Sequence, residues 1–251
     1  MTLFETVGEN AIYVIVFLCI IVAMFVIAFL LEKVCRKKDA NQGKEKFFTT
    51  RKMAVIGVLS AMAAVLMVFD FPIPFIPGSI YKFDFSELPV MIGSFAYGPA
   101  TGVVMEFLKI LIKLLIKGTS TAFIGELANF VVGCSFIIPA SVLYIMNKTK
   151  KRAITACIVA TVSITVFSML FNWLYLLPAF INFFTEQGRT TTMSDIVKMG
   201  TKANSLISDE TTFILFATGP FNLLKGIVVS IVTMFVYKPL SRFIKSEGRT
   251  R

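Results

Sequence analysis

The sequence predicts an all-α fold, a polytopic membrane helix bundle, and three observations carry that prediction. First, 56% of the 251 residues are hydrophobic and only 16% are charged, with a mean hydropathy of +0.80. A soluble domain carries about 25% charged residues. Second, residues 11–31 form an uninterrupted apolar run of 21 residues. About 20 helical residues cross a hydrocarbon core of ~30 Å. Third, the excess positive charge (+10) is not spread evenly. Eight Lys and Arg lie in residues 32–52, four in 148–152 and five in 238–251, which is 17 of 25. Each cluster abuts an apolar run, as cytoplasmic juxtamembrane charge does. That placement fits attraction to anionic lipid and argues against a nucleic-acid partner.

The spans follow in order. The run 11–31 is the first. Nothing basic precedes it and a basic cluster follows it, so it reads as an anchor helix rather than a signal peptide. The linker 32–52 separates it from the rest of the chain and is the best domain boundary. The second span is 53–69. Residues 70–89, DFPIPFIPGSIYKFDFSELP, hold four of the nine prolines. Proline fixes φ and removes a backbone donor, so this segment is expected to be a non-helical loop. Its Phe and Ile content predicts that it packs back on the bundle as a lid. A short third span, 90–96, breaks at YGPAT. The fourth is 102–116, the fifth 122–146, the sixth 153–180 and the seventh 212–236. Residues 181–210 are polar, with a short helix expected near 194–199. Threading seven spans puts the three basic clusters on one side, which predicts an external N-terminus and a cytoplasmic C-terminus.

Ionisable and amide groups inside these spans mark candidate sites, because they are costly in hydrocarbon. Glu106, Lys109 and Lys113 share one face of the fourth span. They read equally well as ion pairs that hold helices together. Glu126 and Asn129 are three apart, as are Asn222 and Lys225, and Asn172 stands among apolar neighbours. Asn222 and Lys225 follow Gly219-Pro220, where a kink is expected. That combination points to a ligand pocket, polar at one edge and otherwise apolar. The neighbouring Phe residues, Trp173 and Tyr175 would suit a flat ring. On the second span, Gly57/Ala61 and Ser60/Ala64 form a small-xxx-small face that lets another helix approach closely. Packing within the bundle and docking of another subunit both fit it.

Several function classes lack their residues. The sequence has no His and no metal-ligand spacing among Cys19, Cys35, Cys134 and Cys157, so no metal is expected. There is no phosphate-binding GxxxxGK[ST] loop and no nucleophile elbow. An enzyme is not expected, and active transport would need a partner motor or an ion gradient.

The segments IPGSIYKFDFSELPVMIGSFAYGPATGVVMEFLKILIKLL, GELANF, FNWLYLLP and GPFNLLKG together resemble the riboflavin-specific S component of energy-coupling factor (ECF) transporters. The resemblance covers about residues 50–245. It implies a six-helix S-component core, residues 53–240, preceded by one extra N-terminal transmembrane helix (1–31) and the basic linker (32–52). A cytoplasmic tail (241–251) follows. It implies riboflavin as transported ligand rather than cofactor, and partnership with a transmembrane coupling subunit and two ATPase subunits. By the same resemblance, Asn172, Asn222 and Lys225 contact the flavin, with the cap residues Phe75, Ile80, Tyr81 and Lys82. Asp84, Glu126 and Asn129 support the pocket or cap, and Gly57, Ser60, Ala61 and Ala64 meet the coupling subunit. The alternatives are an S component for another vitamin or for FMN, whose phosphate Lys225 and Lys82 would accept, and an autonomous secondary transporter with Glu106 and Glu126 as proton sites.

Overall fold

A computed structural model describes residues 11–37, 49–73, 81–186 and 192–245. Its elements are α1 (Ala11–Lys37), α2 (Thr50–Val68), β1 (Phe71–Pro72), β2 (Lys82–Phe83), α3 (Glu87–Tyr97), α4 (Pro99–Lys117) and α5 (Ile124–Met146). They continue with α6 (Lys150–Phe171), α7 (Leu177–Glu186), α8 (Met193–Ala203), α9 (Glu210–Phe213) and α10 (Gly219–Lys245). A π turn, Asn172–Leu176, joins α6 to α7, and another, Ile214–Thr218, joins α9 to α10. Among the described residues, five stretches are long and apolar enough to cross a membrane: Val14–Cys35, Thr50–Val68, Ile124–Met146, Lys150–Thr185 and Glu210–Tyr237. The fold is therefore the expected polytopic helix bundle.

Helix α3 has 11 residues. At 1.5 Å per residue it covers about half of a ~30 Å core. The chain that enters it is consequently non-helical deep inside the bundle, which is tolerated only where protein covers the backbone. The third span is short, as expected. The proline segment, expected to run to residue 89, ends three residues early, because Glu87, Leu88 and Pro89 already belong to α3. Proline is compatible with a first helical turn, where the missing N–H has no partner to lose.

Helices α3 and α4 reverse at Gly98, whose φ of +105° suits a residue without Cβ. A Cβ there would also lie 2.7 Å from the Glu32 carboxylate of α1. That carboxylate accepts a hydrogen bond from the Ala100 N–H at 3.1 Å, so it caps the start of α4. Helix α1 therefore extends beyond residue 31 and is seated on the bundle. Phe17, Ala28, Glu32 and Cys35 are its buried positions, successively 11, 4 and 3 residues apart and thus on one helical stripe. Phe17 meets Phe130 of α5 edge-on at 5.9 Å. Ile15, Leu18, Val22, Val26 and Leu30 face outward.

One end of the bundle gathers the basic segments. Lys52 at the start of α2 lies 5.7 Å from the Tyr97 ring at the end of α3. Phe95, Tyr144 and Tyr237, near the ends of α3, α5 and α10, form one ring cluster. Residues 148–152 lie in the adjoining α5–α6 turn and first turn of α6. The opposite end carries the β1–β2 hairpin and α8. There Ile73, Tyr81 and Phe83 share an apolar cluster with Ile196 of α8, Ile207, Phe213 and Phe221.

Candidate functional site

The site is organised by the two π turns. Each is followed at the same offset by proline: Leu176 precedes Leu177-Pro178, and Thr218 precedes Gly219-Pro220. Proline removes one helical hydrogen bond and its ring presses on the carbonyl four residues back. Widening the preceding turn relieves that conflict, and the N–H groups of Leu177 and Gly219 bond five residues back, to Asn172 and Ile214. The expected break at Gly219-Pro220 is thus replaced by a continuous helix with a π turn just before it. Such turns are frequent at functional sites. Here they carry Asn172 and Thr218, with Asn222 one turn further on.

The hairpin strand β2 supplies the facing wall. Side chains alternate along a strand: Tyr81 and Phe83 are buried and Lys82 points outward. The Tyr81 hydroxyl lies 2.7 Å from Asn172 Oδ1, to which it donates, and 2.6 Å from Thr218 Oγ1. Its ring stacks on Phe221 at 5.2 Å. Both asparagines are held by their own helices, Asn172 Nδ2 donating to Ser168 O at 2.7 Å and Asn222 Nδ2 to Thr218 O at 3.0 Å.

Below this wall runs a chain of alternating charge. Lys225 Nζ lies 3.2 Å from Asp84 Oδ2 and 3.6 Å from Glu87 Oε1. The same Glu87 oxygen lies 3.1 Å from Lys109 Nζ, which also contacts Glu106 Oε2. All five side chains are buried, and Asp84 additionally accepts from the Ser86 N–H at 2.8 Å. Three carboxylates against two ammoniums leave this chain a formal charge of −1. Buried charges persist only where paired and hydrogen-bonded, and the alternation supplies that pairing.

The structure therefore brings Tyr81, Asp84, Asn172, Asn222 and Lys225 to one region. Phe75 and Ile80 lie outside the described residues. Lys82 is directed to Asp70 at 3.5 Å, and Lys117 reaches the same carboxylate at 3.6 Å. Glu126 accepts from Lys113 at 2.6 Å and from Thr119 at 3.0 Å, so it orders the α4–α5 turn. Asn129 donates to Gly125 O within α5. The predicted face of the fourth span is thus divided, Glu106 and Lys109 joining the buried chain and Lys113 joining Glu126. Trp173 is 53% exposed, one residue and ~100° beyond Asn172. The ring partners that face the site are Phe83, Phe213 and Phe221 instead. Sequence reasoning passed over Glu87 and Thr218. The spacing of Asp84 and Glu87, i and i+3 across the start of a helix, was the available signal for the first. On α2, Gly57 and Ala61 are exposed, while Ser60 and Ala64 are buried against the bundle.

Buried amides and a charge-paired lysine, set beside an aromatic wall inside a membrane helix bundle, make a candidate site for a ligand with a polar edge and an apolar body. Residues 51–237 match the profile of the ECF transporter, substrate-specific component, and the chain belongs to that family. It is 33% identical over 210 residues to the riboflavin transporter RibU of Staphylococcus aureus (strain TCH60), covering 84% of this chain and 97% of that protein. It is 29% identical over 198 residues to the riboflavin transporter FmnP of Bacillus subtilis (strain 168), covering 78% and 95%. A solved structure described as the S component of a bacterial ECF transporter superposes with a TM-score of 0.58 at 30% identity, covering 78% of this chain and 98% of that one.

Proposed function

We propose that the chain is the membrane-embedded riboflavin-binding subunit of an ECF vitamin importer, energised by a transmembrane coupling subunit and two ATPases. The observation that carries this reading is the convergence of Asn172, Asn222 and Lys225 beside Tyr81, Phe213 and Phe221. A flavin has a pyrimidine edge of carbonyl oxygens and one N–H, which amides and an ammonium complement. Its remaining ring area suits an aromatic wall. Tyr81, with Phe75 and Ile80, belongs to the cap over the ligand. Lys82 serves the cap through Asp70 rather than through the ligand. Asp84 positions Lys225, and Glu126 and Asn129 order the α4–α5 end.

The coupling subunit meets the outward face of α2, where Gly57 and Ala61 leave the surface low; no heavy atom lies within 4 Å of a Cβ built at Gly57. Ser60 and Ala64 support that contact from within. The basic end is cytoplasmic, so the N-terminus is external and the C-terminus internal. Ala11–Lys37 is an added transmembrane helix that precedes the binding bundle, which begins at Thr50.

Uptake tests the whole reading. Cells expressing this chain with the coupling subunit and ATPases accumulate labelled riboflavin, and cells lacking the ATPases do not. Robust gradient-driven uptake without them would favour an autonomous transporter.

A further inference from the structure

We propose that Glu87 is a positioning residue for Lys225, fixing the direction of its ammonium from a helix. The inference rests on reading Lys225 as a ligand contact. A lysine head on a four-carbon stem has many rotamers, and its direction must be set by partners. Lys225 has two: Asp84 at 3.2 Å and Glu87 at 3.6 Å. They differ in where they stand. Asp84 directly follows the hairpin strand β2, outside any helix. Glu87 lies in the first turn of α3, a helix buried along most of its length.

Glu87 is itself fixed. Its Oε1 is 3.1 Å from Lys109, which is fully buried on α4 and held by Glu106 one turn earlier. The start of a helix also favours a carboxylate electrostatically. Lys225 is thus directed by a helix-borne carboxylate as well as by the one beside the hairpin. An ammonium has three donors. Asp84 takes one at 3.2 Å, Glu87 at 3.6 Å is a charge partner rather than an acceptor, and a remaining donor is available to a ligand carbonyl oxygen. Glu87 thus acts through Lys225 rather than on the ligand.

The test uses the full chain in detergent and riboflavin as the probe. Wild type, Glu87→Gln, Lys225→Ala and the double variant are titrated. Each single substitution is expected to weaken binding about tenfold or more. The double variant is expected to be no weaker than the worse single one, within about threefold, because both act through one ammonium. At saturation, the visible spectrum of bound flavin in Glu87→Gln is expected to shift toward that of Lys225→Ala. Wild-type affinity in Glu87→Gln, or losses that multiply, would overturn the proposal.

If Glu87→Gln fails to fold, Glu87→Gln/Lys109→Gln removes the inner pair together and leaves the net charge unchanged. Its affinity is expected to stay low. Recovery to wild-type affinity would mean that Glu87 serves Lys109 alone, and the proposal fails. The two readings separate cleanly: a wild type that does not bind riboflavin sinks the functional reading and this one with it. A wild type that binds, with Lys225→Ala weakened and Glu87→Gln normal, sinks only the positioning role.

Discussion

The hydroxyl of Tyr81 donates to Oδ1 of Asn172 at 2.7 Å, joining residues 91 positions apart. One is beside the cap hairpin and the other opens the π turn that follows α6, the fifth core helix counted from α2. The bond ties the cap to the amide that the flavin reading assigns to the ligand.

Replacing Tyr81 with Phe keeps the ring on Phe221 and removes only that hydroxyl. Asn172 Oδ1 and Thr218 Oγ1 lose a buried partner, a loss of about 1–3 kcal/mol. The ligand-free variant is expected to melt several degrees below wild type in detergent. An unchanged melting temperature would show that the bond does not hold the cap.

FMN is expected to bind at least about tenfold more weakly than riboflavin. The two lysines that the sequence offered to a phosphate are already engaged, Lys225 by Asp84 and Glu87, and Lys82 by Asp70. Parallel titrations at one ionic strength check this, and equal affinities would contradict it.

Glu32→Ala removes a helix cap outside the pocket. Loss of such a cap costs about 0.5–2 kcal/mol. The variant is expected to melt earlier and to bind riboflavin within about threefold of wild type, less than 1 kcal/mol. A melting temperature equal to wild type would mean that α1 is a loose appendage.

The ends of α8 and α9 carry a pH dependence. Side-chain and backbone donors of Thr192 hold Asp195 below the usual carboxylate range, and the Thr212 N–H and hydroxyl do the same for Asp209. A carboxylate whose folded pKa is depressed contributes stability that is fully present above its unfolded pKa, about 3.9. That contribution is lost as pH falls through the folded value. Amide exchange of residues 192–203 is therefore expected to be insensitive to this capping between about pH 5 and 8. It should rise only in stronger acid, and a rise near neutrality would contradict the assignment.

Much of this architecture was legible in the sequence, for identifiable reasons. The long spans announce themselves by apolar length. Basic clusters sort the ends because charge is costly in hydrocarbon. Asn172, Asn222 and Lys225 stand out for the same reason. Local pattern could not show which partner a buried charge chooses. Lys109 and Lys113 lie on one helix face, yet they pair with Glu87 and Glu126 on different elements. Trp173 looked suited to a ring because adjacency in sequence hides a ~100° helical rotation. The π turns were half legible: Gly219-Pro220 flagged one irregularity, though a widened turn and a kink leave the same mark, and Pro178 passed unremarked. The four small residues of α2 share a helical neighbourhood, and only packing divides them into an outward pair and an inward one.

The most direct test of the account is a riboflavin titration of the purified, ligand-stripped chain, followed by flavin fluorescence quenching. The account predicts sub-micromolar binding, a free energy beyond about −8.2 kcal/mol. It also predicts a loss of at least about tenfold, ~1.4 kcal/mol, in each of Asn222→Ala and Lys225→Ala. Folded protein with no sub-micromolar affinity, or with both variants binding as wild type does, would contradict it.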